Sequence, residues 1–208
     1  MQKKIIPSII AKNQKEFNGR FEKIKSSSII HLDVMDGKFV SKQSLNFNLI
    51  IPRKKYQIHL MVNNPERFIK LVHSKADTII FHIESCENQE QVKDIIKFIK
   101  KKKKKAGIAI NPKTPIKKIQ PFLKSINIIL IMTVNPGKYG AKFLPSALKK
   151  VNELRNLKKN IRIGIDGGIN EQTIKKAKLA DFFISGSYIQ NLKNPKQAIR
   201  NLKKLANN

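Results

Sequence analysis

Short, nearly unbroken apolar runs alternate along this chain with longer polar stretches in which apolar residues return every three or four positions. The runs cover residues 5–9, 29–35, 57–62, 78–83, 107–111, 128–134, 161–166 and 182–186. Unbroken apolarity is what a strand buried on both faces requires, so these eight runs predict a parallel sheet covered by helices. The stretches between them predict those helices. Val92, Ile95, Ile96 and Ile99 fall at i, i+3, i+4 and i+7, one apolar face. Leu144, Leu148, Val151 and Leu154 repeat in the same way, as do Ala198, Leu202 and Leu205 near the C-terminus. Asn64-Pro65-Glu66 reads as a helix start, with Asn64 as the cap and proline in the first turn. Between Met35 and Gln57 the helical period fades, which predicts a loop with a short helix.

Eight strands alternating with helices in 208 residues, with no Gly-, Pro- or Ser-rich linker, predict one α/β domain over residues 1–208. The arrangement expected is a closed (β/α)8 TIM barrel. An open, doubly wound sheet is the alternative that periodicity leaves standing; no Rossmann glycine fingerprint follows the first run, which counts against it.

Charge changes the picture next. Lys and Arg number 43 against 14 Asp and Glu, a formal net charge of +29. A basic surface is the electrostatic footprint of a nucleic-acid binder. Here, however, the lysines are spread over nearly every predicted helix, and Ile and Asn are abundant alongside them, a mixture that AT-rich codons produce. The charge therefore reads as compositional. No specific nucleic-acid partner is expected, although the positive potential should favour an anionic substrate. The densest run, residues 100–105, falls at a helix C-terminus, where lysines complement the dipole. The one cysteine, Cys86, cannot form an internal disulfide. No run reaches the roughly 18 apolar residues of a membrane span, and the first residues show no signal-peptide apolar region. A cytoplasmic protein with no membrane partner is expected.

In a barrel, reacting groups sit at the C-terminal ends of strands and in the loops that follow. The polar residues of interest fall there. His31 and Asp33, two apart, point to the same side of the second strand. His59 lies near the end of the third, and Asp166 ends the seventh. Two imidazoles and two carboxylates converging at one barrel mouth suit a borderline divalent ion. His82 and Glu84 close the fourth strand with the same spacing as His31 and Asp33, and the pattern alone leaves the pairs as rivals. His73 falls in a helical stretch and is set aside. Barrels build their phosphate site from backbone N–H groups after strands seven and eight, where Gly167-Gly168 and Gly186-Ser187 stand. A third glycine segment, residues 135–140, follows the sixth strand as a candidate lid.

These segments, in this order, resemble the ribulose-phosphate 3-epimerase family. The most specific are His31-Leu32-Asp33-Val34-Met35-Asp36-Gly37-Lys38-Phe39-Val40 and Met132-Thr133-Val134-Asn135-Pro136-Gly137. Pro7-Ser8-Ile9, His59-Leu60-Met61-Val62 with Pro65-Glu66, and Phe81-His82-Ile83-Glu84 match as well. Asn111-Pro112 with Thr114-Pro115, Asp166-Gly167-Gly168-Ile169 and Ser185-Gly186-Ser187 complete the set, so the resemblance covers essentially the whole chain.

The resemblance implies a barrel isomerase of the pentose phosphate pathway that interconverts D-ribulose 5-phosphate and D-xylulose 5-phosphate. A related 3-epimerase acting on a hexulose phosphate, such as allulose 6-phosphate, is the alternative. It implies one divalent ion (Zn2+, Fe2+, Mn2+ or Co2+) on His31, Asp33, His59 and Asp166, with Asp33 and Asp166 as the acid–base pair. It implies substrate contacts at Ser8, His31 and His59. Phosphate loops are implied over Gly137, Lys138, Tyr139 and Gly140, at Gly167 and Gly168, and at Gly186 and Ser187. A homo-oligomer, dimer or hexamer, is implied too. His82 and Glu84 match a family segment without a catalytic role, which settles the rivalry against them. One loop departs from the family. Where Gly-Phe-Gly-Gly-Gln usually follows the proline, this chain has Gly137-Lys138-Tyr139-Gly140-Ala141. Tyr139 takes a place where glycine suits a turn, and Lys138 brings charge near the phosphate. The segment before Asp181 is also a residue or two short.

Overall fold

The computed structural model describes residues 2–137 and 140–208. Its described residues form nine strands: β1 (Lys4–Ile9), β2 (Ile29–Asp36), β3 (Gln43–Ser44), β4 (Lys55–Met61), β5 (Thr78–His82), β6 (Lys105–Ile110), β7 (Ile128–Met132), β8 (Arg162–Asp166) and β9 (Phe182–Ser185). Eight of them are parallel, in the order β1-β9-β8-β7-β6-β5-β4-β2, and β1 pairs back onto β2 through Ser8 opposite His31 and Ile9 opposite Leu32. The sheet is therefore a closed barrel. Every predicted apolar run became one of these strands, with ends moved by two residues at most.

Side-chain alternation divides each strand between two cores. On β4, Tyr56, Ile58 and Leu60 belong to the outer core, with the helix residues Val92, Ile95, Ile96 and Ile99. Gln57, His59 and Met61 take the other parity and face the barrel axis. Lower in the barrel, Ile6, Ile80, Leu130 and Phe182 fill the interior. The fit is close: a Cβ added at Gly164 would lie 2.2 Å from the Phe182 ring, so only glycine leaves space for that aromatic.

The helices are α1 (Gln14–Ile24), α2 (Pro65–Val72), α3 (Gln89–Lys101), α4 (Lys149–Leu157), α5 (Ser187–Asn191) and α6 (Pro195–Asn207). Asparagine starts four of them. Asn13, Asn64, Asn88 and Asn194 accept from the backbone N–H of Glu16, Arg67, Gln91 and Gln197, each cap being worth about 1 kcal/mol. On α3 the four predicted apolar positions are all buried, each contributing on the order of 1.5–3 kcal/mol. On α6 the buried face is Ala198, Leu202 and Ala206, with Leu205 half-buried beside it.

Three expectations are corrected. The segment between β2 and β4 contains no helix among its described residues; it carries the two-residue strand β3, antiparallel to β2. The connections after β6 and β8, predicted to be helices, hold only single 3-10 turns, at Ile116–Lys118, Gln120–Phe122 and Ile174–Lys176. After β6, Pro112, Pro115 and Pro121 remove the N–H donors a longer helix needs. After β8, the Asn170 side chain accepts from the N–H groups of Gln172 and Thr173, drawing the backbone into a turn. Among the described residues no helix is long and apolar enough to cross a membrane.

Candidate active site

Strand register gathers the polar residues at the barrel mouth. On β2, His31, Asp33 and Met35 share one parity, and β4 sets Gln57, His59 and Met61 directly opposite them. Asp166, the last residue of β8, pairs with Met132. In the closed ring β8 and β2 are separated by β9 and β1, so the two carboxylates reach the centre from different sides.

The result is a four-residue cluster. One ligand atom from each of His31, Asp33, His59 and Asp166 lies within 4.8 Å of all the others. His59 Nδ1 is 3.1 Å from Asp33 Oδ1 and 3.5 Å from Asp166 Oδ2. His31 Nε2 is 3.2 Å from Asp33 Oδ1 and 3.8 Å from Asp166 Oδ2. Both histidines are fully buried, and Asp33 is 5% exposed.

The donor set fits a divalent ion. His31 Nδ1 lies 2.7 Å from Gln57 Oε1, an acceptor, so this nitrogen holds the proton and Nε2 presents a lone pair to the cluster. That Nε2 is buried and makes no regular hydrogen bond among the described residues, with Asp33 Oδ1 3.2 Å away. A buried, orphaned acceptor beside two carboxylates and a second imidazole is the arrangement a cation completes.

Electrostatics point the same way. Burial works to raise the Asp33 pKa, but His31 and His59 beside it outweigh that and hold the carboxyl below its usual range. Burial works to lower the His59 pKa; hydrogen bonds to Asp166 and Asp33, and the charges of both, raise it to about 9. Without an ion, His59 is thus the cation between the carboxylates.

His82 and Glu84 stand outside the four. His82 Nε2 is 2.9 Å from His59 Nε2, on the far side of the His59 ring from the cluster. Burial works to raise the Glu84 pKa, and bonds from His82, Thr114 and the Asn111 N–H keep the carboxyl below its ordinary range.

Above the cluster a small cavity opens to solvent. Asp33 and Asp166 form its polar floor; Met35, Met61 and Met132 form an apolar one. Ser8, Gly137, Gly140, Gly167, Gly168, Gly186 and Ser187, all expected at the substrate, line the walls. His31 and His59, expected to touch substrate as well, are seated beneath that lining with no exposed surface. Lys138 and Tyr139 lie outside the described residues.

The loop after β8 is held rigidly. Gly167 and Gly168 have φ of +113° and +65°, left-handed values that side chains resist. Thr133 fixes this turn from below: its Oγ1 donates to the carbonyls of Asp166 and Gly167. Thr173 Oγ1 donates to Gly168 O at 2.8 Å. Neither Gln57 nor Thr133 stood out in the sequence as a site residue. A glutamine in an otherwise apolar strand, two before His59, was the available signal.

A closed barrel with a His/carboxylate quartet at its mouth and glycine loops around it defines a class: (β/α)8 enzymes that handle a proton beside a bound cation and an anionic substrate. Residues 4–190 match the ribulose-phosphate 3 epimerase family. The chain is 32% identical over 217 residues to the ribulose-phosphate 3-epimerase of Schizosaccharomyces pombe, covering 98% of this chain and 93% of that one. It is 37% identical over 204 residues to the ribulose-phosphate 3-epimerase of Buchnera aphidicola, covering 90% and 88%. Among solved structures, 3-hexulose-6-phosphate synthase from Salmonella typhimurium superposes with a TM-score of 0.71 at 15% identity, over 98% of each chain, a likeness of fold. The chain belongs to the ribulose-phosphate 3-epimerase family.

Proposed function

We propose that this chain is a ribulose-phosphate 3-epimerase, acting as one (β/α)8 domain that interconverts D-ribulose 5-phosphate and D-xylulose 5-phosphate. The observation that carries the reading is the quartet itself: two carboxylates from different sides of the barrel meeting at one cation-shaped cluster under the cavity. Epimerisation next to a carbonyl needs a base on one face of C3 and an acid on the other, through a planar enediolate. That Asp33 and Asp166 approach from different strands of the barrel supports them as this pair, with roles that would swap when the reaction reverses. Its imidazole neighbours hold Asp33 ionised, the state a base must start from. His31 and His59 would hold the ion together with the two aspartates; Zn2+, Fe2+, Mn2+ and Co2+ all suit this N/O donor set. When bound, the ion supplies Lewis-acid stabilisation of negative charge on the substrate oxygens.

The remaining contacts follow from the cavity walls. Met35, Met61 and Met132 offer a polarizable apolar floor to the flat intermediate. The loops at Gly167-Gly168 and Gly186-Ser187 offer close backbone approach to the phosphate. Ser8 would contact the sugar from β1, and Gly137 and Gly140, which line the same cavity, would flank it. The protein is taken to work in the cytoplasm as a homo-oligomer, a dimer or hexamer. The test is a coupled assay for xylulose 5-phosphate formation, run with and without a chelator, alongside turnover of allulose 6-phosphate. Chelation should abolish activity and a divalent ion restore it. Full activity in metal-free protein, or faster turnover of the hexulose phosphate, would refute the reading.

A further inference from the structure

The family segments Phe81–Glu84 and Asn111–Pro115 line none of the cavity, yet they contain a carboxylate held by three hydrogen bonds. Glu84 Oε1 accepts the Asn111 N–H at 2.8 Å and the Thr114 hydroxyl. Its Oε2 accepts from His82 Nδ1 at 3.0 Å. Lys150, 8% exposed, donates from Nζ to the carbonyls of Asn111 and Pro112 at 2.7 and 2.8 Å, fixing the segment that grips Glu84. His82 is fully buried, and Phe39 packs against its ring with centroids 4.8 Å apart. Beyond His82 stands His59. The ring planes differ by only 22° and the centroids are 4.9 Å apart, while the Nε2 atoms approach to 2.9 Å. The rings therefore meet edge to edge, in the geometry of an N–H···N hydrogen bond.

Hydrogen-bond direction along this chain is forced from one end. A carboxylate only accepts, so His82 Nδ1 carries its proton and donates. The neutral ring then has a bare Nε2, which can only accept. His59 must donate to it from Nε2–H, and this leaves the lone pair at His59 Nδ1, the atom that faces Asp33 and Asp166. We infer that Glu84 and His82 are positioning residues that set the His59 tautomer, so that Nδ1 is presented as a metal ligand. The inference rests on the proposed metal site and extends it inward: Thr114 and Asn111 orient Glu84, Glu84 orients His82, and His82 orients His59. Outer partners of this kind typically change metal affinity 10–100-fold when removed.

The isosteric change Glu84→Gln tests direction apart from shape. The Asn111 N–H is a fixed donor, so the amide must turn its oxygen there and its NH2 toward His82. His82 Nδ1 must then accept, its proton moves to Nε2, and two N–H groups face each other. His59 is relieved by moving its own proton to Nδ1, where it blocks the ion. The readout is Co2+ affinity by chelator competition, with thermal melts confirming that each variant folds. Glu84→Gln and His82→Leu should bind Co2+ roughly 10–100-fold more weakly than the parent. His82→Gln, whose Oε1 can accept from His59 Nε2–H, should recover most of that loss. Unchanged affinity in Glu84→Gln, with a parent that binds Co2+, overturns the relay alone. A parent that binds no Co2+ overturns the metal site and the relay with it. A second measurement needs no variant: long-range 1H–15N spectra of the Zn2+-loaded protein should place protons on His82 Nδ1 and His59 Nε2. A proton on His82 Nε2 overturns the inference.

Discussion

If His59 carries the positive charge between Asp33 and Asp166 when no ion is bound, metal binding must expel a proton, and affinity must depend on pH in a defined way. The His59 pKa stands at about 9 in the folded, metal-free protein, against an ordinary 6.5. Below about pH 9 each ion displaces roughly one proton, so affinity should rise about tenfold per pH unit and level off above that. From pH 7 to pH 9 the gain is about 100-fold, or about 3 kcal/mol at ~1.4 kcal/mol per unit. The same shift acts on metal-free stability with the opposite slope. A folded pKa raised above the unfolded one stabilises fully below about pH 6.5, and the contribution is lost as pH rises through about 9. The assay is Co2+ or Mn2+ competition against a chelator of known pH dependence, from pH 6.5 to 9.5. It is paired with calorimetry in buffers of different ionisation enthalpy to count released protons. An affinity flat between pH 7 and 9, with no proton release, would refute the assignment of the proton to His59.

Replacing Asp33 or Asp166 by Asn should cut epimerisation by at least ~10²–10⁴-fold; because both also face the ion, metal content must be measured beside turnover, and near-normal rates in a metal-replete variant would end the two-aspartate reading. Gly186→Asp puts negative charge in the cavity wall where the phosphate is expected and should raise KM with the fold intact; an unchanged KM would move the phosphate elsewhere. Gly164→Ala sets a methyl 2.2 Å from the Phe182 ring, so thermal melts should show a loss of about 1–3 kcal/mol. A neutral Tm would mean the barrel interior has slack that this packing denies.

The barrel was legible because its strands are buried on both sides, and such strands leave a plain mark, unbroken apolar runs. The quartet was legible because β2 places His31 and Asp33 two apart and because Asp166 sits at the strand end before two glycines. What sequence could not supply was lateral register. Gln57 looks like a stray polar residue until β2 sets His31 beside it. Thr133 looks like an ordinary strand end until the Asp166–Gly167 turn crosses it. His82 and Glu84 were rivals to His31 and Asp33 on spacing alone; the difference is that β5 adjoins β4 on the side away from β2, which puts His82 behind His59. The helices expected after β6 and β8 failed for a local reason. Prolines and side-chain-capped turns outweigh a weak apolar period in short connections.

Charge argues that a cation completing this cluster would be divalent. Two carboxylates with His59 protonated leave the quartet at a formal charge of −1, buried beneath a cavity whose substrate is itself an anion. That state repels the phosphate ester and would oppose negative charge developing near C3. A divalent ion that expels one proton adds a net single charge and brings the quartet to neutrality. When one aspartate holds the proton it will deliver, the assembly would stand at +1, and once the other has taken the C3 proton it would stand at +2, facing the one negative charge left on the substrate. A monovalent cation displacing the same proton would leave the site at −1. The tautomer of His59 is what makes the exchange of proton for ion possible, since the displaced proton must come from Nδ1 while Nε2 keeps its own. The formal +29 of the whole chain would act at longer range, favouring the approach of an anion. On this reading, discrimination at the reacting carbon would rest on the four side chains beneath the cavity and on the hydrogen bonds that hold their protons in place.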